Sequence, residues 1–210
     1  MMRVLGKVAD CLVLSVMWLL GSIPLITIGA STAALYTMTL RIIRAEEGKL
    51  IPGFWKAYWE NFRQGTVIHL ILTLLVLMIY IHSRSVQAME GQIRMVFWAG
   101  TCLFGIIWLM ETLFVYPVLA RFSNSTGNIM KNAFLMASGN VPVFFGVVLI
   151  TGLPLWTLLL NTQLFISMVP AWIFIGPGLI ALLNSFLFHQ CFRKYIPEEE
   201  SGETGTEEEA

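Results

Sequence analysis

Glu111 is the side chain in this 210-residue chain best placed to do chemistry, because it sits in the apolar run Met95 to Leu119. It lies eight residues before Leu119, about 12 Å along a helix, where an unpaired charge inside lipid is expensive. The carboxyl must therefore be protonated, paired or wetted. Two readings follow. In one it is a proton or cation site, with His189, Gln190 or Asn184 of the last apolar run as partners. In the other it is a neutral structural carboxyl bonded to a neighbouring hydroxyl such as Thr112 or Tyr116.

The other reactive residue types form no recognisable constellation. His69, His82 and His189 sit near the ends of apolar runs without metal-ligand spacing, and packing at the membrane interface is the expected role of each. Cys11, Cys102 and Cys191 are far apart and lack CxxC spacing, which indicates neither a disulfide framework nor a zinc site. There is no glycine-rich phosphate loop, no HExxH and no GxSxG. The sequence thus disfavours an ordinary enzyme and calls for no cofactor and no metal.

The composition explains what must position Glu111. Hydrophobic residues make up 57% of the chain and charged residues 12%, about half the charged share of soluble domains, and the mean hydropathy is +0.74. The lipid bilayer is the expected surrounding, in a cell membrane. Zero net charge conceals an asymmetry, because seven of the thirteen acids fall between Glu198 and Glu209, leaving the body at +7. Residues 1–195 read as a single all-α domain, a polytopic transmembrane helical bundle, and 196–210 as a disordered acidic cytoplasmic tail with little to bury.

The expected keystone is WLLGSIPLITIGASTAAL, Trp18 to Leu35. Pro24 lacks an amide donor and Gly29 tolerates a reversed backbone, so a helix over Val4 to Ile23 should stop there and a second should run from Gly29 to Glu46. Thr27 falls in the turn between them. Gly29, Ala30, Ala33 and Ala34 place small residues at i and i+4, which lets helix backbones approach closely inside lipid. Arg3 and Lys7 before an apolar stretch imitate a secretory signal, but apolar sequence resumes at Ala33, so an uncleaved hairpin is expected.

Further along, Gly48 to Gly53 reads as a turn, and Trp55, Tyr58, Trp59 and Phe62, among Lys56, Glu60 and Arg63, read as interfacial anchors on a short amphipathic helix. Such an aromatic stripe flanking a membrane span binds lipid rather than nucleic acid. Thr66 to Ile81 is a third span, Ser83 to Arg94 a polar loop and Met95 to Leu119 a fourth span. A second interfacial helix is expected where Ile129, Ala133 and Met136 share a face. Val141 to Leu160 and Met168 to Gln190 complete six spans, interrupted at Gly152/Pro154 and at Gly176-Pro177-Gly178. With the amino terminus inside, eleven basic residues fall inside against Arg84 and Arg94 outside, so both termini are expected in the cytoplasm. Breaks of this kind occur in transporters whose interrupted helices expose backbone to a substrate, but simple proline kinks are the favoured reading here.

PLITIGASTAAL, then FWKAYWENFRQG before a span, then VYPVLARFSNSTGNIMKNAF resemble the YesL-like family of bacterial integral membrane proteins, a domain of unknown function. The resemblance extends over residues 3 to 195, with PLITIGASTAAL its most specific part. It implies a small multi-pass membrane protein whose genes often neighbour carbohydrate ABC transporters and sensor-regulator pairs. It supplies no reaction and no catalytic residue. The expected role is therefore an accessory or regulatory partner of a carbohydrate transporter or sensor kinase. The alternative is a small proton- or ion-coupled transporter or channel using Glu111.

Overall fold

The computed structural model of the chain describes residues 2–46 and 48–195, with side chains from Ala9 onward. The described residues form helices and no strand: α1 (Met2–Gly21), α2 (Ile28–Ile43), α3 (Leu50–Gln87), α4 (Gly91–Arg121), α5 (Thr126–Gly139), α6 (Val141–Thr151), α7 (Leu153–Leu160), α8 (Thr162–Phe174) and α9 (Gly176–Phe192). The expected all-helical architecture is thus observed. The acidic tail lies outside the described residues.

The first two helices form the expected tight hairpin. α1 stops at Gly21, Pro24 precedes a single 3-10 turn, Leu25–Thr27, and α2 follows at once. Thr27 fixes the reversal, its hydroxyl lying 2.8 Å from the Gly21 carbonyl and 2.7 Å from that of Pro24. Across the hairpin, Ser31 Oγ donates to the Trp18 carbonyl at 2.8 Å and Trp18 Nε1 donates to Thr32 Oγ1 at 3.1 Å. Ala30, Ala33 and Ala34 are wholly buried. Gly29 meets Gly65 of α3 backbone to backbone: a Cβ on Gly65 would stand 2.7 Å from Ala30 N, and one on Gly29 would run into the Gly65 carbonyl. Lipid is as apolar as a protein core, so this fit, rather than escape from water, holds α2 on α3.

α3 differs from expectation. The separate interfacial helix at Phe54 to Arg63 and the third span are one uninterrupted helix of 38 residues, about 57 Å long. Between Gly53 and Gln87 no proline interrupts it, and Gly65, whose propensity cost is about 1 kcal/mol, sits where its missing side chain permits the α2 contact. The change from amphipathic to apolar sequence alters what surrounds the helix, not its backbone. The expected loop from Ser83 to Arg94 likewise shrinks to Ala88–Glu90. Ser83 and Ser85 return their hydroxyls to the carbonyls of Tyr80 and Ile81, at 2.7 and 3.1 Å, inside the helix. Gly91, at φ 73°, makes the reversal into α4.

The second half is more broken than expected. α5 is the anticipated separate amphipathic helix, N-capped by Ser125 Oγ and burying Ile129, Ala133 and Met136. It turns 101° into α6 at Asn140. The stretch Val141 to Leu160 divides at Gly152 into pieces of 11 and 8 residues, about 17 and 12 Å long, so neither alone crosses ~30 Å of hydrocarbon. α8 and α9 meet at 74°. Three helical stretches, Leu25–Ile43, Leu50–Gln87 and Gly91–Arg121, are long and apolar enough to cross a membrane, or five if each bent pair forms one span. A count of six is not confirmed. In α1 the stretch Ala9–Gly21 is apolar.

The core lies where α2, α4 and α9 converge. Phe114 and Phe188 meet edge to face at 5.0 Å, Tyr36 meets Phe188 at 5.9 Å, and both phenylalanines are wholly buried. On the far side of α9, Gly178 comes against the Cys11 carbonyl of α1, and its amide donates to Ser15 Oγ at 2.8 Å.

Candidate functional site

Glu111 lies on α4 where that helix leaves the packed core. Residues Phe114 to Leu119 are buried, whereas Leu103, Phe104 and Ile106 are more than half exposed. Between this open half of α4 and the facing half of α3 runs a cleft of about 300 Å³. Leu75, Met78, Ile79 and His82 line it from α3, and Thr101, Phe104, Ile107 and Trp108 from α4, with Glu111 at its end. The walls are apolar because the few polar groups are already engaged. Trp108 Nε1 donates to the Leu72 carbonyl at 2.9 Å, and Thr101 Oγ1 donates to that of Phe97 at 2.9 Å. Toward the mouth, the His82 ring rests 5.9 Å from that of Phe97.

Three of the expected Glu111 partners hydrogen-bond to other groups. The Thr112 hydroxyl donates to the Trp108 carbonyl at 2.8 Å, and Tyr116 Oη shares a hydrogen bond of 3.2 Å with His69 Nδ1. Asn184 donates to Thr151 Oγ1 at 2.9 Å and to Tyr36 Oη at 3.3 Å, while His189 lines a separate cavity beside Arg44 and Arg121. Glu111 is 9% exposed and its Oε2 has no hydrogen-bond partner among the described residues. Glu111, Asn184 and His189 therefore do not form one site. In an apolar surrounding an unmade carboxyl hydrogen bond costs about 1–3 kcal/mol, so the end of this cleft favours a group that can donate to it.

The aromatic residues of α3 divide between two roles. Trp59 is 66% exposed and Trp55 and Phe62 are half-buried, as anchors would be. Tyr58, however, is buried against the hairpin with its Oη 3.5 Å from the Gly21 carbonyl. Its position on the same face as Phe54 and Gly65 directs it to α2, so it belongs to the core rather than to the interface.

A second cavity, of about 490 Å³, opens between the first hairpin and the later broken helices. Trp18, Tyr36, Thr151, Pro154, Trp172 and Pro177 are among its walls. Two of the three proline-glycine breaks thus share one cavity, and Glu111 is not part of it. The contacts Asn184 to Tyr36 and Thr39 Oγ1 to Ser185 Oγ, the latter 2.8 Å, were not readable in advance. Their only signal was a polar residue within an apolar run, which does not name its partner. Among the described residues no group of three or more His, Cys, Asp or Glu is placed to hold a metal ion.

No curated protein and no solved structure matches the chain. Residues 11–82, which run from within α1 through α2 to His82 of α3, match the family model described as protein of unknown function, DUF624; the match takes in PLITIGASTAAL and FWKAYWENFRQG but does not reach VYPVLARFSNSTGNIMKNAF.

Proposed function

We propose that the protein is an accessory membrane subunit that receives a partner's transmembrane helix in the cleft between α3 and α4. One observation carries this reading: a buried carboxyl with an unpartnered oxygen stands at the end of an apolar cleft open along two exposed apolar helices. Leu74, Met78, Val96 and Phe104 on those helices are each 60% exposed or more. An apolar helix bearing one hydrogen-bond donor matches both the walls and the end of such a cleft, since a polar contact between helices supplements their packing in lipid. The family resemblance directs the search for that partner to a carbohydrate transporter or a sensor kinase of the cell membrane. No catalytic motif argues for an enzyme.

The test is affinity purification of the tagged chain in mild detergent. Wild type is expected to recover a reproducible membrane partner. Ile79→Trp, which fills the cleft without adding charge, is expected to lose the partner while keeping the detergent melting temperature. Equal recovery by both proteins would refute docking in the cleft.

A second reading, a proton- or ion-coupled transporter, is favoured by the same unpartnered carboxyl. It requires coupling between Glu111 and a substrate, yet the cavity at the broken helices is separate from that carboxyl's cleft. Reconstituted vesicles decide between the two readings. A pH-dependent flux abolished by Glu111→Gln in a folded protein would establish the transporter and displace the accessory role.

A further inference from the structure

The carboxyl-terminal ends of α2, α4 and α9 converge on a cavity of about 50 Å³ lined by Leu40, Arg44, Arg121, His189, Phe192 and Arg193. Among the described residues no acidic side chain lines it. Basic residues at helix C-termini have an ordinary explanation, because each terminus carries about half a negative charge. Three arginines, Arg44, Arg121 and Arg193, nevertheless meet at this one small cavity.

Arg44 carries the clearest sign of a missing counterpart. Its Nε is 3.0 Å from Glu46 Oε1, near enough for charge attraction but without hydrogen-bond alignment, so among the described residues this buried N–H has no hydrogen-bond partner. Burial, and next the adjacent Arg121, press its guanidinium below its ordinary value. It nevertheless stays charged, since arginine does not lose its proton in proteins. The forked donors of guanidinium match the paired oxygens of a phosphate group, as they do those of a carboxylate. One water needs about 10–15 Å³, so the cavity of about 50 Å³ has room for about three to five oxygen-sized atoms, enough for the four oxygens of a phosphate group.

We propose that Arg44, Arg121, Arg193 and His189 form a binding site for a phosphate group, held by guanidinium donors at the common end of α2, α4 and α9. Two candidate spans, Leu25–Ile43 and Gly91–Arg121, end at this cluster. It therefore lies where the hydrocarbon of one leaflet gives way to headgroups, and basic pockets between membrane helices at that depth take anionic lipid headgroups. Leu40 and Phe192 offer an apolar wall beside the charges. The same donors would take a free phosphate ion.

Native mass spectrometry of the full-length protein in neutral detergent tests the proposal with three probes: phosphatidylglycerol, diacylglycerol and inorganic phosphate. Saturable binding of phosphatidylglycerol without binding of diacylglycerol is expected. Arg121→Gln should weaken it about tenfold, equivalent to about 1.4 kcal/mol, and Arg84→Gln, in the last turn of α3, should not. Inorganic phosphate binding with the same Arg121 dependence would support the site with a soluble ion as its source. If Arg121→Gln does not fold, Arg193→Gln at the exposed rim provides the same comparison. Diacylglycerol binding as well as phosphatidylglycerol, or binding of every probe unchanged in the arginine variants, would overturn the proposal.

Discussion

Replacing Gly65 with alanine adds one carbon to a helix, and its effect should be opposite to that of the same change at Gly100 or Gly105. A Cβ at Gly65 would lie 2.7 Å from Ala30 N and 2.8 Å from Ala30 Cα, both backbone atoms that cannot rotate away. Restoring ordinary contact requires α2 and α3 to separate by more than half an ångström along their crossing, which disturbs the Ala30, Ala33 and Ala34 face. Overpacking of a tight core costs about 1–3 kcal/mol, and alanine's better helix propensity returns about 1. The net effect is a destabilisation of up to about 2 kcal/mol. Gly100 and Gly105 of α4 supply the control, since a Cβ on either meets nothing within 4 Å. Alanine there is expected to be neutral or to stabilise by up to about 1 kcal/mol. Thermal unfolding of the purified proteins in one detergent measures both effects. A Gly65→Ala protein melting at or above wild type would show that α2 and α3 do not depend on this approach.

The remaining predictions concern a buried hydroxyl pair and the course of the chain. Thr39→Val should destabilise by about 0.6–2 kcal/mol by leaving Ser185 Oγ without its 2.8 Å partner; adding Ser185→Ala should recover part of the loss, and additive losses in the double variant would refute the pairing. In a protein cleared of its native cysteines, a cysteine replacing Ala88 between α3 and α4 should react with an impermeant reagent outside intact cells, while one replacing Ser201 should not. Labelling of Ser201→Cys from outside would reverse the orientation inferred from the basic residues.

Local chemistry was legible wherever one residue dictates its own surroundings. Pro24 and Thr27 make the turn after α1 by what their backbone and hydroxyl can do. α3 shows where such reading fails. The change in polarity near Arg63 resembles a boundary because it marks a change of surroundings, but only the lack of a helix breaker bears on the backbone, and none occurs there. Gly65 was silent for a different reason. A glycine inside a helix reads as a weakness until Gly29, 36 positions earlier in the chain, is known to lie against it. Glu111 was conspicuous from composition, but the structure was needed to show that Thr112, Tyr116 and Asn184 are engaged elsewhere and that His189 lines a separate cavity.

The unbroken course of α3 gives the molecule a lever. From the Gly65 crossing to Gln87 the helix runs 22 residues, about 33 Å, with no proline or further glycine to act as a hinge. A rod of that length tilted by about 5° moves its far end by about 3 Å, and the fulcrum is the tightest backbone contact between α2 and α3. Force applied where α3 faces α4 therefore arrives at the hairpin as rotation rather than being absorbed by bending along the way.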